Sequence, residues 1–112
     1  MMEVHIAFHP QFLHDAKRLA KKYKSFKSDF ALFLELLEQN PLLGTDLGKG
    51  VRKVRMAISS KGKGKSGGAR VCTFCLVPQE NGIWEVTLLT IYDKNEIENV
   101  SDAFIKSLLD TL

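Results

Sequence analysis

Apolar residues repeat at two different spacings in the first third of the chain. Residues 4–8 alternate apolar and other side chains, which predicts a short strand. From Pro10 onward, and again from Ser28, apolar residues recur three or four positions apart, as on one face of a helix. We expect Ser28 to cap the second helix and Asn40-Pro41 to follow its end. This part of the chain is thus predicted to be a strand and a helical hairpin.

Alternation of apolar and polar residues returns in the second half. Residues 51–59, 69–77 and 83–94 are rich in β-branched and aromatic side chains and predict three strands, whose short connections favour antiparallel pairing. A closing amphipathic helix is expected from about Ser101. We therefore predict one α+β domain over residues 1–112, in the order β-α-α-β-β-β-α. Its sheet should be four-stranded and mainly antiparallel, with the helices on one sheet face.

The composition is typical of one compact domain, since the 112 residues are 45% hydrophobic and 26% charged. The longest apolar run, residues 30–34, is far shorter than a membrane span, and the N-terminus shows neither a basic leader nor a cleavable apolar stretch. The two cysteines, Cys72 and Cys75, cannot form a disulfide framework. We expect a cytoplasmic protein that does not enter a membrane.

Positive charge is concentrated in one part of the chain. Eight of the sixteen lysines and arginines lie between Lys49 and Arg70, and this stretch has no acidic residue. So much charge of one sign must be solvated or matched by an anionic partner, for which a polyphosphate is the obvious candidate. On the predicted strand 51–59, alternation puts Lys53 and Arg55 on one face.

The segment SSKGKGKSGGAR, residues 59–70, contains Gly64-Lys65-Ser66, which is similar to the end of a phosphate-binding P-loop. That motif also needs glycine where Ser59 stands, and a helix where the following residues predict a strand. We therefore expect no nucleoside-triphosphate site. A solvated hairpin loop remains an alternative explanation of the segment.

Neither the histidines nor the cysteines form a metal-binding pattern. His9 and His14 are five positions apart across a helix start, unlike the i, i+4 spacing of a helical zinc pair. Cys72 and Cys75 would face opposite sides of a strand, so we expect buried structural thiols. The sequence predicts no metal and no cofactor.

Two motifs are distinctive in combination: KVRMAISSKGKGKSGGARVCTF at residues 53–74 and LLTIYDKNEIENV at residues 88–100. Together they resemble the RelE branch of the RelE/ParE toxin superfamily, the HigB/RelE-like toxins, and the likeness covers nearly the whole chain. The resemblance implies a RelE-like fold and a toxin of a type II toxin-antitoxin system. Such toxins are similar to metal-independent ribonucleases that cut mRNA, usually on the ribosome. It also implies a cognate antitoxin as partner, in a hetero-oligomer.

The resemblance further implies roles for individual residues. The positions that match catalytic ones are Arg55, Lys65, Arg70, Tyr92 and Lys94. The surrounding cations are expected to bind RNA, and these are Arg52, Lys53, Lys61 and Lys63. Unlike some members, this chain has Asn95 after Lys94 and no tyrosine in its last helix, so the general acid and base stay unassigned.

RNA cleavage does not require a nucleophile from the protein, because the 2′-OH beside the scissile phosphate is itself the nucleophile. Attack builds negative charge on the phosphate oxygens, and guanidinium groups match it with paired hydrogen bonds. We expect Arg70 in this role, with Arg55 or Lys65 beside it. No histidine falls in the cluster, so Tyr92 or a lysine of depressed pKa would transfer protons, and modest turnover on free RNA is expected.

Two other classes of function remain open. A ParE-like protein would inhibit DNA gyrase by binding, and a nucleic-acid-binding module would hold phosphates without catalysis. The ribonuclease is favoured because the matched cluster contains the groups that an RNA-cleaving site requires: Arg55, Lys65, Arg70, Tyr92 and Lys94.

Overall fold

Three α-helices and five β-strands form the part of the chain that this computed structural model describes, residues 2–61, 68–78 and 80–112. The elements are β1 (Glu3–Phe8), α1 (Pro10–Lys22), α2 (Phe26–Gln39), β2 (Thr45–Gly48), β3 (Val51–Met56), a 3₁₀ turn (Ser59–Lys61), β4 (Ala69–Cys75), β5 (Ile83–Asp93) and α3 (Asp102–Leu109). The predicted α+β class is confirmed. No helix within these ranges is long and apolar enough to span a membrane.

The strands pair in one mixed sheet in the order β1-β5-β4-β3-β2. β1 runs parallel to β5, and the other neighbouring pairs are antiparallel. The prediction of four strands is wrong, because β2 adds a fifth strand at the edge. Its glycine-rich surroundings are typical of turns. It becomes a strand through its pairing with β3, across a connection in which Gly48, Lys49 and Gly50 all have positive φ.

The helix starts depend on the residues that precede them. Pro10 is the first residue of α1, as predicted, and Nδ1 of His9 accepts a hydrogen bond from the backbone N–H of Gln11 at 2.9 Å. The start of α2 differs from the prediction, because the capping position is Ser25 and not Ser28. Ser28 lies inside the first turn, where its hydroxyl donates to the carbonyl of Ser25 at 3.0 Å. The helix ends before the Asn-Pro pair, as expected.

Different helices cover the two faces of the sheet. The face that packs against α1 and α2, here the hairpin face, has a core that includes Phe12, Leu19, Phe33, Leu37, Val54, Met56 and Val71. On the opposite face, here the α3 face, Ile105 and Leu108 of α3 share a second core with Val51, Cys72, Leu89 and Tyr92. The prediction that all helices share one face is wrong, because the central strands carry apolar residues on both faces, and both need cover.

Candidate functional site

Three of the predicted catalytic residues lie side by side across the α3 face. Arg55 of β3 pairs in register with Arg70 of β4, and Arg70 pairs with Tyr92 of β5. Residues opposite each other on antiparallel strands point to the same face, with Cβ atoms about 4.5–5.5 Å apart. Tyr92 belongs to the core beneath α3, so all three side chains are on the α3 face. We call Arg55, Arg70 and Tyr92 the cross-strand row.

A small pocket lies beside the cross-strand row. Lys53 is two positions before Arg55 on β3 and therefore shares its face, and its Nζ donates to Oδ1 of Asn99 at 3.1 Å. The pocket has a volume of about 250 Å³ and is lined by Leu47, Lys53, Cys72, Tyr92, Asn99, Val100, Asp102 and Ile105. The row is thus bordered, at its Tyr92 end, by a concave surface that is large enough for a small group of a ligand.

The two arginines of the row place like charges on directly opposite residues. Arg55 is exposed, and within the described ranges no side chain or carbonyl accepts a hydrogen bond from its guanidinium. Nη1 of Arg70 donates to the carbonyl of Ala69 at 3.3 Å. Opposed like charges destabilise a sheet, whereas an anion between them would accept hydrogen bonds from both guanidinium groups. The arrangement therefore suits a phosphate.

Tyr92 is the buried member of the row. Its side chain is 2% exposed, and its hydroxyl has no hydrogen-bond partner in the part of the chain that the structure describes. Burial raises the pKa of Tyr92, the nearby thiol of Cys72 adds to the rise, and the charge of Arg70 offsets it only in part. Tyr92 is therefore protonated at neutral pH, which suits a proton donor and not a base.

Of the other catalytic candidates, Lys94 is near the row and Lys65 is outside the described residues. Lys94 directly follows β5, and its backbone N–H donates to the carbonyl of Gly68 at 3.4 Å, so it lies beside the start of β4. Lys63, one of the RNA-binding candidates, is also outside the described residues, in the segment 62–67. Lys94 and Arg70 thus belong to the same end of the sheet.

Two of the RNA-binding candidates do not join the row. Arg52 alternates with Lys53 and so faces the other way, where its Nη1 donates to the carbonyl of Gly44 at 3.2 Å. Lys61 is engaged internally: its side chain is 6% exposed and its Nζ lies 2.9 Å from Oδ1 of Asp93. Strand alternation could have separated Arg52 from the others, but the ion pair of Lys61 depends on the folded structure.

Asp93 was not among the predicted site residues. It lies between Tyr92 and Lys94 and has no exposed side-chain surface. The groups that donate to its carboxylate are the hydroxyl of Tyr23 (2.5 Å), Nζ of Lys61 (2.9 Å), the backbone N–H of Asn95 (2.9 Å) and Nζ of Lys22 (3.3 Å). Burial alone would raise the pKa of Asp93, but these donors outweigh it and hold the pKa well below its ordinary value. We call Lys22, Tyr23, Lys61 and Asp93 the Asp93 network.

The thiols offer no nucleophile. Burial raises the pKa of Cys72 to about 11, and Cys72 and Cys75 pack in different cores, on opposite faces as predicted. Over residues 2–61, 68–78 and 80–112, no group of three His, Cys, Asp or Glu side chains is arranged to hold a metal ion.

A larger groove lies away from the row, along the N-terminal half of β5. Its volume is about 1060 Å³, and its walls include Phe8, Phe74, Leu76, Glu80, Ile83, Glu85, Thr87 and Leu112. Among its described residues there is no lysine or arginine. The groove therefore lacks the charge that would attract a nucleic acid, which leaves the row as the candidate site.

No protein-family model matches this chain. The resemblance to RelE-like toxins therefore rests on the motifs themselves, at residues 53–74 and 88–100. These motifs cover residues 53–56 of β3, 69–74 of β4 and 88–93 of β5, the parts of the strands that carry the cross-strand row.

Proposed function

We propose that the protein is a metal-independent endoribonuclease that cuts mRNA, in association with the ribosome, as the toxin of a type II toxin-antitoxin system in the cytoplasm. The observation that supports this most directly is the pairing of Arg55 with Arg70 and of Arg70 with Tyr92. Two guanidinium groups beside a buried, protonated hydroxyl are the groups needed at a phosphate whose charge increases during reaction.

In the proposed reaction the 2′-oxygen of the RNA forms a bond to phosphorus and the bond to the 5′-oxygen breaks. The products are a 2′,3′-cyclic phosphate and a 5′-hydroxyl. Arg55 and Arg70 would stabilise the charge on the phosphate oxygens, and Tyr92 would donate a proton to the leaving 5′-oxygen. The 2′-OH proton would pass to a base, for which the candidates are Lys94 and Lys65.

Mapping of RNA ends tests this proposal. The purified protein is incubated with translating ribosomes, and the expected result is new 5′-hydroxyl ends within the mRNA. Slower cleavage of free RNA by the purified protein should persist in the presence of a chelator. An intact mRNA together with loss of gyrase supercoiling activity would instead support a ParE-like inhibitor.

A second candidate function is RNA binding without cleavage, and the burial of Tyr92 favours it. A side chain that is 2% exposed reaches a substrate only through the adjoining pocket. Binding of RNA without any new ends in the same experiment would support this second function.

A further inference from the structure

Asp93 is a buried anion that pairs with Lys61 and Lys22, and Lys22 also pairs with the carboxylate of Glu96. Strand alternation turns its side chain to the hairpin face, away from Tyr92, its neighbour on the α3 face. Because its side chain has no exposed surface, Asp93 cannot contact RNA itself. Any part that it plays in the reaction must be exerted through the residues that it holds.

Both carboxylate oxygens of Asp93 are used. Oδ1 accepts from Nζ of Lys61 and from the backbone N–H of Asn95, both at 2.9 Å. Oδ2 accepts from the hydroxyl of Tyr23 at 2.5 Å and from Nζ of Lys22 at 3.3 Å. One side chain therefore joins the end of α1, the 3₁₀ turn and the turn that follows β5.

The connection from Asp93 to the cross-strand row runs through Gly68. Nζ of Lys61 donates to the carbonyl of Gly68 at 3.1 Å, and the backbone N–H of Lys94 donates to the same carbonyl at 3.4 Å. A Cβ at Gly68 would lie 2.6 Å from the carbonyl oxygen of Met56, so Gly68 also packs tightly against the end of β3. Gly68 is two residues before Arg70, and Met56 follows Arg55.

We infer that Asp93 is a positioning residue of the proposed nuclease: through Lys61 and Gly68 it fixes the strand ends that carry Arg55, Arg70, Tyr92 and Lys94. This inference rests on the proposed function. Removing the carboxylate charge would leave the ammonium of Lys61 unpaired in a buried position, which is strongly unfavourable. Lys61 would then move toward solvent, and the carbonyl of Gly68 would lose a donor.

The expected signature is a loss of rate without a loss of affinity. Displacement of reacting groups by about 1 Å costs on the order of 10²-fold in rate. Affinity for RNA depends on the number of cations at the surface, and Asp93→Asn removes none of them. A variant that is merely less stable would show the same rate as the parent once both are fully folded.

The experiment compares Asp93→Asn with the parent and with Asp15→Asn, at a temperature where circular dichroism shows all three folded. Asp15 is a matched control, because its carboxylate also joins α1 to β5, accepting from Oγ1 of Thr90 at 2.7 Å, but contacts nothing in the Asp93 network. Single-turnover cleavage gives the rate, and anisotropy with a 2′-deoxy analogue of the cleaved RNA gives the affinity. Asp93→Asn is expected to cleave about 10- to 100-fold more slowly and to bind RNA at least as tightly as the parent. Asp15→Asn is expected to match the parent in both.

Tyr23→Phe covers the case in which Asp93→Asn does not fold, because it removes one hydrogen bond to Asp93 and keeps the buried charge pair. It should slow cleavage by a smaller factor, about 3- to 10-fold, with unchanged affinity. Suppose that the parent is active. If Asp93→Asn and Tyr23→Phe then cleave at the parent rate, or lose rate and affinity together, this inference alone is overturned. A parent that cuts no RNA would overturn the proposed function and this inference with it.

Discussion

Arg55 and Arg70 lie directly opposite each other on neighbouring antiparallel strands. Like charges in this relationship destabilise a sheet, by an amount comparable to the roughly 0.2–1 kcal/mol that favourable cross-strand pairs contribute. Binding sites and active sites commonly retain residues that lower the stability of the folded protein. If the pair is kept for an anionic ligand, stability and activity should respond to its removal in opposite directions.

Arg55→Gln should therefore stabilise the protein while it weakens RNA binding. The free energy of unfolding is expected to rise by about 0.2–1 kcal/mol at low salt, since one of the two opposed charges is gone. The gain should shrink at high salt, where the parent's repulsion is screened. Urea unfolding of parent and variant at two salt concentrations measures the gain in stability and its dependence on salt.

Lys53→Gln is the matched control for this prediction. Lys53 lies on the same face of β3 but pairs in register with Cys72, an uncharged residue at neutral pH. Its neutralisation should therefore bring no comparable gain in stability. Equal stabilisation by both variants would show that general surface charge, and not the pairing of the two arginines, is responsible.

Arg70→Ala should abolish cleavage and growth inhibition while the fold stays intact. The loss of one oriented donor to a developing oxyanion reduces the rate by on the order of 10²- to 10³-fold. Cleavage by the folded variant, measured on translating ribosomes, checks the prediction. Arg18→Ala is the control, because Arg18 is an arginine on α1 that pairs with Glu96 at 3.1 Å. If folded Arg70→Ala cuts RNA at the parent rate, Arg70 has no catalytic role.

The dependence of RNA affinity on salt concentration should show how many phosphates the row neutralises. For a single-stranded ligand the logarithm of affinity falls with the logarithm of salt concentration by roughly 0.7 per neutralised phosphate. Arg55→Gln should reduce this slope by about that amount, whereas Arg18→Ala should leave it unchanged. An affinity that does not vary between low and physiological salt would contradict phosphate binding at the row.

Stability should fall in acid because of Asp93. The folded-state pKa of Asp93 is well below the roughly 3.9 of an unfolded aspartate. Its contribution to stability is therefore complete above the unfolded pKa and is lost progressively as the pH falls from there through the folded-state pKa. Asp93→Asn removes a group that binds protons more readily in the unfolded state. The free energy of unfolding of this variant should therefore vary less than that of the parent between about pH 5 and pH 2, in urea titrations at each pH.

A residual slope is expected in the variant, because Asp29 also has a lowered pKa. Burial alone would raise the pKa of Asp29, but hydrogen bonds from Ser25 and Ser59 outweigh this effect. The informative quantity is thus the difference between the slopes of parent and variant. Identical slopes would mean that Asp93 does not contribute to acid stability.

Local signals in the sequence predicted the elements better than their arrangement. Pro10 and the Asn-Pro pair mark a helix start and a helix end through backbone restrictions that act within a few residues. Period-two alternation correctly put Lys53 and Arg55 on one face. The edge strand β2 was not predictable in this way, because a short segment among glycines becomes a strand only when a neighbour supplies hydrogen bonds.

The candidate site was predictable in its residue types and not in its contacts. The register that aligns Arg55, Arg70 and Tyr92 depends on how three strands pair, which the residues flanking each strand do not specify. The burial of Asp93 and the engagement of Lys61 depend on residues distant in sequence, among them Tyr23 on α1. From their formal charge alone, Asp93 and Lys61 would be expected on the protein surface.

The antitoxin that we propose as partner is expected to act on the cross-strand row. An antitoxin segment rich in acidic and apolar residues could silence the row in either of two ways. Its carboxylates could cover Lys53 and Arg55 directly, or its apolar side chains could displace α3, whose Leu108 packs in the same core as Tyr92. Folding of a disordered segment on binding allows a large surface to be covered, and opposite charge speeds the encounter.

The two modes differ in which substitutions weaken antitoxin binding. Under direct cover, charge reversal by Lys53→Glu and Arg55→Glu should reduce affinity and slow association, because like charges would then meet at the contact. Under displacement of α3, Leu108→Ala should change the affinity more than the charge reversals do, because it alters the free energy of detaching the helix. Leu109 is half-buried, so Leu109→Ala should act in the same direction but less. Calorimetric titration of the proposed antitoxin, to be sought in a neighbouring gene, into each folded variant measures these affinities. If neither set changes the affinity, the antitoxin binds elsewhere, for which the exposed cations on α1 and at the start of α2, from Lys17 to Lys27, are the next candidates.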